Sequence, residues 1–171
     1  MLHRVTIVAL ACWLLAGCGF QPLYGKSGSN DVVREFSYID VAPIKDRMGQ
    51  QLRNELVQRL HTAGRAPFVK YRLVSKISQS KQSLAVQKSA FSTRANLTVR
   101  VEFDLVSTNS ASVLLSIEEQ ATVSYNVLDS EFATLAAERD AQTRAIKFLS
   151  DDIRVHLAIF FDRQQGPVNH R

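Results

Sequence analysis

The chain has 171 residues, of which 46% are hydrophobic and 22% charged, with a formal net charge of +5. That is the length of one domain and the composition of an ordinary globular protein, which excludes a chain too polar to build a core. Two cysteines, Cys12 and Cys18, are too few for a disulfide framework.

The opening MLHRVTIVALACWLLAG carries Arg4, an apolar run from Val5 to Leu15 and two small residues ahead of Cys18. This order predicts a secretory signal peptide over residues 1–17. A membrane span needs roughly 20 apolar residues, and the run is well short of that. Leu15-Ala16-Gly17-Cys18 also resembles the bacterial lipobox, where the cysteine thiol receives a diacylglycerol, the peptide is cut before it and the new amine is acylated. A small residue before the cut gives the peptidase room, and the thiol is the nucleophile toward the lipid. Each buried acyl methylene contributes about 0.8 kcal/mol, and two or more chains anchor stably where one does not. Cys18 is therefore the expected lipid-attachment residue and the first residue of the mature protein. With Cys12 removed and Cys18 acylated, no thiol is left for a disulfide, a metal cluster or a nucleophile.

Residues 25–33, GKSGSNDVV, are rich in Gly, Ser and Asn. Residues 18–34 accordingly read as a lipidated N-terminus and flexible tether that holds the folded part off the membrane. FSYIDVAPI, residues 36–44, alternates at Phe36 and Tyr38, less regularly at Val41, and reads as a first strand closed by Pro43. Asp46 occupies a helix-cap position ahead of Met48, Leu52, Leu56, Val57 and Leu60, which share one helical face, and Ala63-Gly64 reads as the stop.

Three alternating segments follow. VKYRLVSKIS places Val69, Tyr71, Leu73 and Ile77 on one face and Lys70, Arg72 and Lys76 on the other. RANLTVRVEFDLV does the same with Ala95, Leu97, Val99, Val101, Phe103 and Leu105 against Arg94, Asn96, Thr98, Arg100, Glu102 and Asp104. SVLLSIEEQATVSYNV repeats the strand period of two, interrupted by Glu119 on its apolar side, after a hairpin turn at residues 108–112. From about Ser130 to Phe161 there is no Pro or Gly. Phe132, Leu135, Ala136, Ile146, Leu149, Ile153, Leu157 and Phe160 recur there at helical spacings, with a gap over Arg139 and Gln142.

The order β-α-β-β-β-α predicts an α+β, two-layer sandwich: a four-stranded sheet with two helices packed on one face and a polar opposite face. The expected boundaries are a single domain over residues 35–163 and a tail over 164–171. Charge is uneven along it, with thirteen Lys or Arg against four acids in residues 32–100 and four against eleven in 101–162. Such asymmetry fits either an anionic partner or a solvated charged face.

GCGFQPLYG behind the lipobox-like run, this element order and the long closing helix together resemble LptE, the lipopolysaccharide-assembly lipoprotein family of the Gram-negative outer membrane. The likeness is sharp residue by residue from Cys18 to Gly25 and architectural over nearly all of the mature chain. It implies a plug seated in the lumen of the β-barrel LptD, which helps that barrel assemble and assists delivery of lipopolysaccharide to the outer leaflet. Gly19 after the cysteine resembles the outer-membrane sorting pattern, so the expected location is the outer membrane, lipid-anchored, with the domain in the lumen and facing the periplasm.

A wide barrel has an aqueous lumen able to hold a compact, polar plug. Lipid A phosphates are bound by Lys and Arg through charge-assisted hydrogen bonds. The lipopolysaccharide-contact candidates are Lys70, Arg72, Lys76, Arg94 and Arg100 on the polar side of adjacent strands, with Lys81 and Lys88 in or near their connection. The same cations equally suit the protection of an exposed sheet face and its edges, some paired with Glu102 and Asp104.

His3, His61, His156 and His170 are too scattered for a metal pair. Asp151-Asp152 and Glu118-Glu119 are sequence neighbours that point apart, so neither makes an acid/base dyad. No nucleophile elbow or Gly-rich phosphate loop is present. The expectation is a binding protein with no catalytic residue, metal or cofactor, and export argues against a nucleic-acid partner. The competing reading is an auxiliary lipid-binding lipoprotein of a phospholipid-transport system.

Overall fold

Alternation at period two dictates long strands, most clearly over residues 93–107. The computed structural model describes residues 28–84 and 93–164. In chain order the elements are α1 (Gly28–Ser37), β1 (Ile39–Val41), α2 (Asp46–Leu60), β2 (Tyr71–Leu84), β3 (Thr93–Ser107), β4 (Val113–Val127) and α3 (Glu131–Gln164). The sheet has the order β1-β2-β3-β4, with β1 parallel to β2 and the other pairs antiparallel. This is the expected α+β architecture, a four-stranded sheet with its helices packed against one face.

Ala95, Leu97, Val99, Val101, Phe103 and Leu105 of β3 are all buried and form the floor of the core. Leu52, Leu56 and Leu60 of α2 and Ile146, Leu149, Ile153, Leu157 and Phe161 of α3 close over them. Parallel neighbours cannot be joined by a tight turn, so α2 serves as the crossover from β1 to β2. The two covering helices are also tied by charge, since Arg59 Nε lies 2.6 Å from Asp151 Oδ1 and its Nη1 bonds Glu55. The Asp151 hydrogen bond raises the Arg59 pKa against the opposing effect of burial, and Glu55 adds to the rise.

The structure corrects the reading around the N-terminal boundary. Residues 28–34, assigned to the tether, lie in α1, a third helix the sequence pattern did not show. Val32 and Phe36, four residues apart, fall on one helical face and are buried, with the Phe36 ring 6.2 Å from that of Phe161. Asp31 and Arg34 pair at 3.0 Å on the opposite side. The first strand shrinks to Ile39–Val41, because Phe36 belongs to α1 and Tyr38 sits in the turn, stacked on Phe68. Residues 1–27, with the signal segment and Cys18, lie outside the described residues, as do 85–92 and 165–171.

Asp46 is not a cap. Lys45 occupies the N-cap without a side-chain bond, and Asp46 opens α2 at φ +68, a conformation that Asp tolerates better than most residues. The helix ends at Leu60, where the His61 N–H donates to Val57 O, and Gly64, at φ +92, turns the chain afterwards. In α3 the buried stripe begins only at Ala141, so Phe132 and Leu135 are exposed, and Phe161 rather than Phe160 enters the core. Glu119, the charge on the apolar side of β4, is held by His156 Nε2 at 2.6 Å.

Candidate binding face

The side of the sheet turned away from the helices is built by strand parity alone. Because odd positions of β3 are buried, Arg94, Asn96, Thr98, Arg100, Glu102 and Asp104 share the open face. Cross-strand register then fixes the rows: Lys76, Glu102 and Glu118; Ser78, Arg100 and Gln120; Ser80, Thr98 and Thr122; Gln82, Asn96 and Ser124. Two of the four rows contain no charge.

Within that face several side chains bond one another. Thr98 and Thr122 share a hydrogen bond of 2.9 Å between their hydroxyls, and Ser124 Oγ donates to Asn96 Oδ1 at 2.7 Å. Ser116 Oγ donates to Asp104 Oδ1 at 2.6 Å. Arg100 reaches both Gln120, at 3.3 Å, and Glu118, at 2.8 Å. A shallow groove of about 290 Å³ runs along Val74, Lys76, Glu102, Asp104 and Ser116. The result is a long, water-compatible surface of hydroxyls, amides and charges of both signs.

The six cationic candidates among the described residues do not converge. Lys70 precedes β2, pairs with Glu35 of α1 at 3.3 Å and lies over the Tyr38 ring at 3.9 Å. Arg72 faces Asp40 of β1 at 3.8 Å. Lys81 is not in a connection: β2 continues to Leu84, and Lys81, opposite Leu97, points to the helix side and pairs with Glu138 of α3 at 2.6 Å. Lys76 and Arg100 are diagonal neighbours on the open face, where Glu102 lies opposite Lys76 and Glu118 pairs with Arg100. Arg94 is exposed, has no ion pair among the described residues, and borders a groove with Tyr125, Leu128 and Arg144. It is about 40 Å from Arg72 along the sheet at the usual rise per residue. Lys88 lies outside the described residues.

A family model described as lipopolysaccharide-assembly, LptE, matches residues 36–157. The chain belongs to the LptE family. A Rickettsia prowazekii (strain Madrid E) protein is 22% identical over 163 residues, which span 95% of this chain and 100% of that protein. Among solved structures, a lipoprotein candidate from Caulobacter crescentus CB15 aligns with TM-score 0.64 and 21% identity, covering 81% of this chain and 99% of its own. Lipoprotein B from Nitrosomonas europaea aligns with TM-score 0.54 and 20% identity over 78% of this chain and 88% of its own. The minor lipoprotein of Acinetobacter baumannii gives TM-score 0.52 and 14% identity over 72% and 94%. At these identities the likeness establishes that the LptE-family chain shares their fold.

Sequence reasoning missed a second polar recess. The first turn of α2, the middle of β2 and α3 enclose about 450 Å³ lined by Arg47, Gln51, Gln79 and Arg139 among others. Gln142 Nε2 donates to Gln79 Oε1 at 3.0 Å and Gln51 Nε2 to Thr143 Oγ1 at 3.1 Å, which keeps this wall polar. The signal was available: the gap at Arg139 and Gln142 in the apolar pattern of the last helix is where α3 lines the recess. Among the described residues, no group of three His, Cys, Asp or Glu is placed to hold a metal, and no helix is long and apolar enough to cross a membrane.

Proposed function

We propose that this LptE-family protein is an outer-membrane lipoprotein, anchored through Cys18, that seats its folded domain in the lumen of an LptD-type β-barrel. There it helps the barrel assemble and assists passage of lipopolysaccharide to the outer leaflet. The family match over residues 36–157 carries this reading, and the open sheet face is compatible with it. A lumen is aqueous in wide barrels, so a plug gains by presenting groups that accept either water or polar wall side chains, and two uncharged rows of Ser, Thr, Asn and Gln do so. The role is one of binding and assembly rather than catalysis.

Lipopolysaccharide contact falls, on this reading, on Arg94 together with Lys88, which follows β2 and precedes β3 in the sequence. Lys70, Arg72, Lys81 and Arg100 already have carboxylate partners, and a phosphate would have to displace these. Replacing Lys88 and Arg94 together by Ser is expected to weaken lipopolysaccharide binding, and the binding of the unaltered protein is expected to fall with salt, as exposed charges are screened beyond about 10 Å at 0.1 M. Unchanged affinity returns both residues to the role of a solvated face. The test of the function itself is detergent extraction of the envelope followed by affinity purification. A stable one-to-one complex with an outer-membrane barrel is expected. Recovery with inner-membrane transporter components instead would support the phospholipid-transport reading and refute this one.

A further inference from the structure

We propose that the outer edge of β4 and the exposed stripe of α3 beside it form a two-fold interface between two copies of this chain, independently of the barrel reading. β4 ends the sheet, and among the described residues no strand pairs with its outer side. Its ladder to β3 is regular from Thr93↔Val127 to Leu105↔Leu115, and the bulge at Leu114 follows, where Val106 pairs with Val113. Natural edges are blunted with Lys, Pro, bulges or very short strands. Residues 115–127 contain no Lys, Arg, Pro or Gly. On the core side Val123 and Tyr125 are buried, whereas Leu115, Ile117, Glu119 and Ala121 are only half-buried. The first part of the regular edge is therefore incompletely covered by its own helix.

α3 keeps step with this strand. His156 Nε2 lies 2.6 Å from Glu119, and Arg144 Nη2 donates to Ser124 O at 3.5 Å. Between those contacts the strand advances about 17 Å and the helix about 18 Å. Gln120, next to Glu119, thereby lies level with residues 153–154 of α3. Phe148, Val155 and Ile159 are 59%, 51% and 43% exposed. With the exposed Asp152 they form one stripe at helical spacing, and Asp152 and Ile159 lie one turn to either side of His156. Phe148 and Ile159 bracket residues 153–154, so the apolar stripe is centred level with Gln120.

A two-fold interface requires one patch to complement itself about one axis. An axis through Gln120 does this in both layers. Antiparallel pairing of β4 with β4 of the second copy then sets Glu118 opposite Thr122, Glu119 opposite Ala121, Ser116 opposite Ser124 and Leu115 opposite Tyr125. The same axis sets Phe148 opposite Ile159 between the two α3 helices. Moving it to Glu119 or to Glu118 would face each of these acids with its own copy, which is destabilising. The bulge at Leu114 stays outside the paired stretch. The ladder from Leu115 to Tyr125 is about 37 Å long. Sheet and helix layers together give a strip of roughly 650 Å² per copy, at the low end of stable interfaces, which bury about 1,200–2,000 Å² in total. The coincidence of the two centres assigns a second copy of this chain as the occupant.

The test introduces cysteines into the full-length chain, exported to an oxidising periplasm, with the unaltered chain as background for Cys12 and Cys18. Opposed residues of an antiparallel pair have Cα atoms about 4.5–5.5 Å apart, within reach of a disulfide. Gln120→Cys is therefore expected to give a disulfide-linked dimer, and Ser78→Cys, on the same face but in β2, only background. Ser116→Cys and Ser124→Cys should each stay unlinked when expressed alone and link when expressed together. In the Gln120→Cys chain, Thr122→Glu should lower the dimer yield about fivefold, because two new acid pairs form across the axis, and Thr122→Lys should raise it. Both alter an exposed position and should keep the urea midpoint. No dimer from Gln120→Cys, or an equal yield from Ser78→Cys, overturns the interface. Equal yields from the two Thr122 variants, or self-linking of Ser116→Cys, overturn the axis through Gln120 and with it the proposal. None of these results bears on recovery of a barrel, which tests the proposed function separately.

Discussion

Val99→Asp puts a carboxyl at the centre of the core and, with Thr98→Asp as its companion, tests the register of the whole sheet. Val99 is fully buried in β3, whereas Thr98 faces the open side and shares a hydroxyl bond with Thr122 at 2.9 Å. Losing the valine removes about 1.5–3 kcal/mol of burial. The new group stays protonated in the fold, and holding an acid of pKa about 3.9 neutral at pH 7 costs about 4 kcal/mol. Burial of the neutral carboxyl without a partner adds about 1–3 kcal/mol. The sum, about 7–10 kcal/mol, is comparable with the whole stability of a domain, about 5–15 kcal/mol. Val99→Asp should therefore be unfolded or nearly so at pH 7, while Thr98→Asp loses one exposed hydrogen bond, about 0.5–1.5 kcal/mol. The sign with pH follows from the raised folded pKa. The ionisation penalty is absent below the unfolded value and grows as pH rises to the folded one, so at pH 4 the gap between the variants should narrow by about 4 kcal/mol. Urea melts of both at pH 7 and pH 4 read these quantities. Equal midpoints at pH 7, or a gap that does not narrow at pH 4, would refute the register and the burial argument.

Gly49→Ala should destabilise, against the usual gain of about 1 kcal/mol for Gly to Ala inside a helix, because the added Cβ would sit 2.5 Å from Ile44 Cγ2; a higher melting temperature would show that the Ile44 loop can yield. The Tyr71 hydroxyl is pushed above its ordinary pKa, first by burial and then by the charge of Glu35. The folded state therefore keeps a proton that the unfolded state loses at about pH 10, and stability falls as pH rises from there through the folded value; Tyr71→Phe should remove that alkaline slope from a pH series of melts. Cys18→Ser should abolish labelling by radioactive fatty acid and leave the precursor uncut, and normal labelling would refute the anchor.

Legibility followed the source of each signal. β3 and β4 could be read because one face of the sheet meets the core, which forces alternation at Leu97, Val99 and Val101. The second half of β2 could not: Gln79 to Ser83 contains no apolar residue, and the strand persists there through main-chain pairing to β3. That is why Lys81 reads as lying in or near a connection although it lies within a strand. α1 was hidden by Gly28, Ser29 and Asn30, poor helix formers at its start, while Val32 and Phe36 give only two apolar contacts to recognise. Phe132 and Leu135 fit the helical period yet find nothing to pack on, since periodicity reports a face and not what covers it. The open face was readable as a set of residues, but its electrostatics were not. Glu35, Asp40 and Glu138 neutralise Lys70, Arg72 and Lys81 from other elements of the fold.

A role in lipopolysaccharide assembly is tested by the amount of newly made lipopolysaccharide that reaches the outer leaflet as the protein is depleted from growing cells. Lipopolysaccharide at the surface is expected to fall in step with the protein, while the same molecule accumulates on the inner side. Unchanged surface lipopolysaccharide in cells that have lost the protein would refute that role.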